Sequence, residues 1–359
     1  VISTDIGIHA IKLGYRDMED SESRVQAYEY ADQAADGSLS ALYGYVGLGG
    51  SNNRLRQSAA TSYYLEDTMD FGRLNLTVGY RSEDYDQRHR RWDEGAGPNL
   101  TAVRNTIVRD TFAENDHATS SFAATYDLND NVMLVAGFHQ GMTPMFGVEP
   151  EEADNTEIGL RFSEGTTNIE AFYFSSGYSN LAAECTLVSG ASCDATESAV
   201  FSGGEADVSG LEFSGSWIIE GVGVTYPIAL SYTSTDATFN NSSESDYFGL
   251  VAAGDDLPYI PSSSMSLVAG FISDSGLSGN LRLIDIGSSC SIAACGKFNK
   301  IDAHTILDAN LKKSLNDSMD VYVIIENILD DENIISRAPS EGARSQKPRT
   351  MKVGFSYKF

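Results

Sequence analysis

Apolar and polar residues alternate along much of this chain, most fully at its end. Met351, Val353, Phe355, Tyr357 and Phe359 share one side, with Lys352, Gly354, Ser356 and Lys358 on the other. Residues 73–81 repeat the pattern, setting Leu74, Leu76, Val78 and Tyr80 against Asn75, Thr77, Gly79 and Arg81. In residues 264–271, Met265, Leu267, Ala269 and Phe271 again fall together. Successive side chains of an extended backbone point to opposite faces, so a period of two predicts strands with unlike faces. No stretch of comparable length pairs a 3.6-residue period with helix caps. The pattern predicts an all-β fold.

Two kinds of connection take turns along the chain. Tight ones fall at Phe71-Gly72-Arg73, Asn129-Asp130-Asn131, Glu164-Gly165-Thr166, Glu220-Gly221-Val222, Asp274-Ser275-Gly276 and Asn316-Asp317-Ser318, all good turn formers. Long polar ones fall at roughly 21–54, 91–115, 141–154, 179–205, 236–261, 288–300 and 329–347. An antiparallel transmembrane β-barrel keeps short turns on one side and long loops on the other, whereas a soluble sandwich has no reason to hold that order. The segments between give about fourteen strands, near 5–17, 55–70, 73–90, 116–127, 131–140, 155–163, 166–178, 206–219, 222–236, 263–273, 277–287, 302–314, 318–328 and 348–359. Each reaches the roughly 9–11 residues that cross a bilayer at a tilt. Aromatics near segment ends, as in Tyr63-Tyr64, Phe172-Tyr173-Phe174, Trp217 and Tyr357/Phe359, fit interfacial girdles, although aromatics are also good strand residues. The longest apolar runs, such as Val321 to Ile325, fall far short of the roughly 20 residues of a membrane helix.

Composition narrows the partners. Asp and Glu number 51 against 24 Lys and Arg, a formal charge of -27, so a nucleic-acid backbone would be repelled over most of the surface. Acidity also suits a solvated surface in salty surroundings, and it identifies no ligand. The start, Val1-Ile2-Ser3-Thr4-Asp5-Ile6, lacks the parts of a secretory signal. The protein is therefore either cytosolic or the later part of a longer chain. Four cysteines form two close pairs, Cys185 with Cys193 and Cys290 with Cys295, each within a long loop. Four allow three connectivities, and local pairing is the simplest. Zinc is the rival, but neither pair is spaced C-x-x-C and neither loop holds a histidine. Disulfides are favoured, which makes the loop side the oxidised, extracellular side.

Several segments then carry a family resemblance. Val323-Ile324-Ile325-Glu326-Asn327-Ile328-Leu329-Asp330 resembles the penultimate-strand motif of TonB-dependent receptors, and Lys347-Pro348-Arg349-Thr350 with Met351 to Phe359 resembles their closing strand. Ser336 to Arg344, Gly203 to Glu212, Gly254 to Pro261, Glu149-Pro150-Glu151 and Asn155 to Arg161 are similar to the branch of ferric-dicitrate-type receptors. The resemblance runs from about Ile11 to Phe359. It implies a Gram-negative outer-membrane, multi-pass barrel of about 22 strands enclosing a plug. Residues 1–359 would then be the C-terminal part of the barrel domain, without the plug, the TonB-contacting segment or the first strands. The function implied is TonB-energised uptake of a metal chelate, a ferric siderophore or ferric citrate, with outer-membrane lipid, lipopolysaccharide and the TonB complex as partners and no cofactor. The alternative is a self-contained 14-stranded passive porin, since about fourteen is a permissible even number.

No catalytic constellation is apparent. His9, His89, His117, His139 and His304 are dispersed, and no phosphate loop, H-E-x-x-H or G-x-S-x-G pattern occurs. The chain is read as a non-enzyme. For binding, the cluster Gln87-Arg88-His89-Arg90-Arg91-Trp92 is basic in an acidic chain, and the following loop adds Arg104 and Arg109. Arginine forks match carboxylates, so Arg88, Arg90, Arg91, Arg104 and Arg109 are candidate contacts for a ferric polycarboxylate. The same cluster equally fits contact with lipopolysaccharide or pairing with Glu83, Asp84 and Asp86. His139 and Gln140 end a strand beside Met142, Pro144 and Met145, where they would face a central vestibule or serve as ordinary strand-end residues. Arg337 and Arg344 fit loop anchoring as well as ligand contact. Finally, Met351 through Phe359 is expected to turn its apolar side to lipid and Lys352, Ser356 and Lys358 to the lumen. The sheet is expected not to close on itself, or to close only with strain, with segment 5–17 facing a partner that the sequence does not contain.

Overall fold

A computed structural model describes residues 1–4, 7–27, 31–40, 48–92, 104, 106–146, 148–184, 200–245, 248–337 and 343–359. Fifteen strands form one antiparallel sheet in which each pairs with its sequence neighbours. They are β1 Ile2–Thr4, β2 Gly7–Ala27, β3 Leu48–Asp70, β4 Leu74–Trp92, β5 Ile107–Asp127, β6 Val132–Thr143, β7 Glu151–Glu164, β8 Thr167–Glu184, β9 Val200–Gly221 and β10 Val224–Phe239. Two short strands, β11 Ser243–Ser245 and β12 Gly249–Val251, pair with each other inside the next loop. The sheet resumes with β13 Ser263–Ser273 and β14 Leu277–Ile286, followed by a second loop pair, β15 Ser289–Cys290 and β16 Lys300–Ile301. It continues through β17 His304–Asn316 and β18 Met319–Glu326, past a third loop pair, β19 Ile334–Ser336 and β20 Arg344–Ser345, to β21 Thr350–Tyr357.

All fourteen strands expected from the sequence are present, and β1 is an addition. Ile2, Ser3 and Thr4 pair with His9, Ile8 and Gly7, so the lower end of β2 has a partner within the sequence, contrary to expectation. Among the described residues no ladder joins β1 or β2 to β21.

Strand registers place the apolar residues in rows on one face. Leu74, Tyr126, Leu134, Leu160, Ala171, Phe213, Tyr232 and Met265 stand opposite one another across eight consecutive sheet strands. On that face Leu13 is 77% exposed and Val353 70%, which only a lipid surround makes favourable. The other face carries ion pairs, including Lys12 with Glu66 at 2.6 Å, Arg161 with Glu170 at 2.9 Å and Lys352 with Glu326 at 2.9 Å. Charges left towards lipid would cost several kcal/mol each, about 2–4 for a cation at mid-depth, so the polar face is the lumen side.

The tight turns lie together at one end. Gly72 (φ 85°) takes the left-handed position of the β3–β4 turn, and its N–H donates to Asp70 Oδ1 at 2.7 Å. Asn129 Oδ1 accepts from the N–H groups of Asn131 and Val132 at 2.9 and 3.0 Å. The β9–β10 turn is Val222–Gly223, one place later than expected, because Gly223 (φ 73°) supplies the left-handed residue.

At the other end the strands run further than expected. The sequence suggested strands at 55–70 and 116–127, whereas β3 has 23 residues and β5 has 21. At about 3.3 Å per residue, each outgrows a hydrocarbon core of about 30 Å. Above the lipid both faces are wet, so alternation fades and the sequence signal ends before the strand does.

The loops over β8 to β17 share a small core of their own. Ala206, Phe239, Val251 and Ala293 are buried together, with Tyr178, Leu181, Phe248 and Leu257 packed against them. Ala293 sits inside the ring closed by the Cys290–Cys295 disulfide, whose Cα atoms are 5.6 Å apart. That bond lies on the long-loop side, as the sequence indicated. Cys185 and Cys193 lie outside the described residues.

Candidate ligand-binding site

Strand alternation divides the basic cluster of β4 between the two faces. Arg88 and Arg90 fall on the side of Val78 and Tyr80, whereas Gln87, His89 and Arg91 fall on the polar side. Arg88 grips Asp110 with two hydrogen bonds, from Nε at 2.9 Å and Nη2 at 2.8 Å, and Arg90 donates to Gln57 Oε1. Both are engaged on the outward wall, Arg88 by Asp110 and Arg90 by Gln57, and not by Glu83, Asp84 or Asp86.

On the polar side the registers bring together a set that the sequence did not suggest. Arg24 of β2 stands opposite Arg54 of β3, Arg54 opposite Arg91 of β4, and Arg91 opposite Arg109 of β5. The next row towards the membrane holds Glu22, Arg56, His89 and Thr111. Five guanidinium groups and a histidine thus share two rows with one carboxylate. Glu22 accepts two hydrogen bonds from Arg54, at 3.0 and 3.2 Å. Phe146, from the β6–β7 loop, lies over this group, 5.1 Å from the Arg56 guanidinium and edge-on to His89 at 5.9 Å. His89 is only 2% exposed.

Of the residues proposed from the sequence, Arg91 and Arg109 belong to this group. Arg104 does not. Its guanidinium lies 4.5 Å from the Trp92 ring centre and donates to Ser23 Oγ, Asn53 Oδ1 and the Arg54 carbonyl at 2.8, 3.3 and 3.1 Å. It ties the β4–β5 loop back to β2 and β3. His139 is on the polar face opposite Ser121 and Asn155. Twelve positions of β5, about 40 Å of strand, separate Ser121 from Arg109. Gln140 points the other way, accepting from Ser120 Oγ at 2.8 Å and donating to Asp154 Oδ1 at 3.0 Å. Arg337 donates to the Lys300 carbonyl at 2.9 Å, joining two loops.

Arg24, Arg54, Arg56 and Phe146 were missed. Arg54-Leu55-Arg56 alternates as a strand should, but opposition to Arg91 depends on register, which no local pattern fixes when both faces are polar.

A family model described as TonB dependent receptor-like, beta-barrel, matches residues 6–328. No curated protein matches the chain. Among solved structures, it is similar to the closed form of the ferric-catecholate import receptor Fiu from E. coli K12, at 18% identity and a TM-score of 0.73, covering 100% of this chain and 53% of that one. The siderophore receptor PiuA from Acinetobacter baumannii matches at 15% identity and 0.76, covering 100% and 54%. The unliganded ferric citrate transporter FecA matches at 18% identity and 0.72, covering 100% and 52%. The chain thus spans about half the length of each of these structures.

Proposed function

Because the chain belongs to the TonB-dependent receptor β-barrel family, whose members lie in the Gram-negative outer membrane, we propose that it serves the energised uptake of a ferric chelate. The observation that carries the chelate part is the basic group on the polar face of β2 to β5, at the long-loop end, in a chain of charge -27. Guanidinium groups in that position meet an anionic complex as it enters from outside, before any passage through the barrel. The likeness to a ferric-catecholate receptor, a siderophore receptor and a ferric citrate transporter supports iron as the cargo. Energy transmitted by a TonB complex follows from the family alone. The passive porin would need a ladder between β1 or β2 and β21, and the described strands hold none.

The test is transport of radioactive iron by cells that carry or lack the gene, with and without a functional TonB complex. Uptake is expected only when both are present. Iron entry that is unaffected by loss of TonB would refute energised transport, and entry unaffected by loss of the gene would refute the receptor.

A further inference from the structure

We propose that the upper edge of β5, from Asp110 to Asp116, receives an extended peptide of basic character as an added antiparallel strand on the long-loop side of the barrel. β5 keeps its ladder to β4 up to Ile107 opposite Trp92, but its ladder to β6 covers only Ser121 to Asp127. Among the described residues no main-chain hydrogen bond reaches 110–119 from the β6 side. β10 also outruns its neighbour, yet its upper edge is covered: Thr235 and Phe239 donate to the Ser262 and Asp255 carbonyls at 3.0 and 2.9 Å, and Leu257 donates to that of Ala237 at 2.9 Å. The β6–β7 loop is instead committed to the inner face of the tall wall, where Phe146 lies over Arg56 and His89.

Two bonds fix which groups are open. The Asp127 N–H donates to the Arg73 carbonyl on the β4 side at 2.8 Å, whereas the Ser120 N–H donates to Gln140 Oε1 on the β6 side at 3.2 Å. Successive residues alternate between the two edges, so Asp110, Phe112, Glu114 and Asp116 turn their N–H and C=O groups to the open one, over about 20 Å of strand. The row Asp17, Thr61, Asp84 and Asp116 follows directly above Tyr15 and Tyr63, so this stretch stands beyond the lipid, where open main-chain groups are tolerated. Sheets blunt exposed edges with Lys, Pro or bulges, but residues 110–120 contain neither Lys nor Pro and their register with β4 is unbroken. Charge selects the occupant. Glu114 stands opposite Asp86 and Asp116 opposite Asp84, and among the described residues none of the four has an ion-pair partner. Phe112, 59% exposed, adds an apolar contact. A second copy would set these acids against the same acids, which destabilises a sheet, whereas a strand with Lys at every second position meets them with opposite charge.

The full chain in detergent micelles would be titrated with a fluorescent peptide of alternating Thr and Lys, about nine residues long, read by anisotropy and by hydrogen exchange. Binding that slows exchange within 108–120 is expected, and a Thr/Glu peptide should bind at least about tenfold more weakly. With Lys opposite Glu114 and Asp116, the Lys N–H groups face β5. N-methylation of every Lys should therefore abolish binding, while N-methylation of every Thr should preserve it. Glu114→Pro removes an open donor without touching the β4 ladder and is expected to weaken binding at least about tenfold, against about threefold for Glu114→Gln. Asp317→Asn, at the opposite end of the barrel, should change nothing. If Glu114→Pro fails to fold, the two methylated peptides decide alone. Equal binding of those two peptides, protection elsewhere in the chain, or no binding of the Thr/Lys peptide overturns the proposal. So does slow exchange at 112, 114 and 116 before any peptide is added, which gives the edge to the chain itself, and so does a dimer that Glu114→Pro dissociates, which gives it to a second copy.

Discussion

The side-chain amide of Asn327 donates to the main-chain carbonyl of Lys347 at 2.9 Å, so one residue at the end of β18 fixes the return of the chain towards β21. The same amide reaches the Asp331 carbonyl at 3.1 Å, and the Asn327 N–H donates to Asp308 Oδ1 at 2.9 Å. Three positions on, Asp330 holds the Arg349 guanidinium at 2.9 Å. Asn327 and Asp330 both adopt left-handed backbone, at φ 53° and 61°, a conformation that Asn and Asp tolerate better than most residues.

Asn327→Ala should therefore cost about 2–3 kcal/mol, because Asn327 is 2% exposed and two carbonyls lose their donor. Asn327→Gly, which keeps the left-handed backbone at ease, should still lose most of that amount if the amide is what matters. Urea unfolding midpoints in detergent give both values, and equal stability of Asn327→Gly and wild type would assign the role to the backbone instead.

Exchanging faces on the closing strand should be costly in one direction only. Val353 is on the apolar face, and Val353→Arg is expected to destabilise the barrel by about 2–4 kcal/mol. Lys352→Gln, on the other face beside Glu326, should cost far less, as an exposed ion pair contributes little. Comparable losses for the two variants in lipid vesicles would reverse the assignment of lipid and lumen sides.

Phe239→Ala should loosen the loop layer without unfolding the sheet. A buried Phe truncated to Ala costs about 3–5 kcal/mol, here concentrated on the contacts with Ala206, Val251 and Ala293. Removing the Cys290–Cys295 bond through Cys290→Ser and Cys295→Ser should cost about 2 kcal/mol of the same local stability. Hydrogen exchange should accelerate at 240–262 and 287–303 while β13 and β14 stay protected, and acceleration throughout the sheet would show that the loops are not a separate unit.

Arg104→Ala should free the β4–β5 loop and change Trp92 emission, since the guanidinium covers the indole and makes three hydrogen bonds to β2 and β3. Limited proteolysis is expected to cut within 93–106 more rapidly in the variant. Ferric citrate affinity should change less than about threefold. A loss of about tenfold or more would make Arg104 a ligand contact.

The membrane part of the fold was legible because lipid on one side and water on the other force opposite chemistry on successive residues, as Met351 to Phe359 shows. Turns were legible where a residue has a special backbone, as Gly72 does, and the Val222–Gly223 turn was displaced by one place because Gly221 and Gly223 compete for it. The site was only half legible. Arg88 through Arg91 looked like one cluster in the sequence, yet a period of two sends Arg88 and Arg90 outward and Arg91 inward. Conversely, Arg24 and Arg109 are far apart in sequence and meet Arg54 and Arg91 only through three successive registers.

The height of the wall made by β2 to β5 has a consequence for ionic strength. Arg54 lies 16 residues from the tight-turn end of β3 at Asp70, about 53 Å along the strand, which at a tilt of about 45° still places it beyond a hydrocarbon core of about 30 Å. The upper wall therefore lies beyond the hydrocarbon, where fields between exposed charges fade over about 8–10 Å at ordinary salt. The acidic body of the molecule, which repels an approaching anion from afar, is masked by the same ions. Guanidinium–carboxylate pairs at touching distance, such as Arg54 with Glu22 at 3.0 Å, lose less. Added salt thus removes the long-range repulsion of an anion before it weakens the ion pairs that hold the upper ends of the strands together.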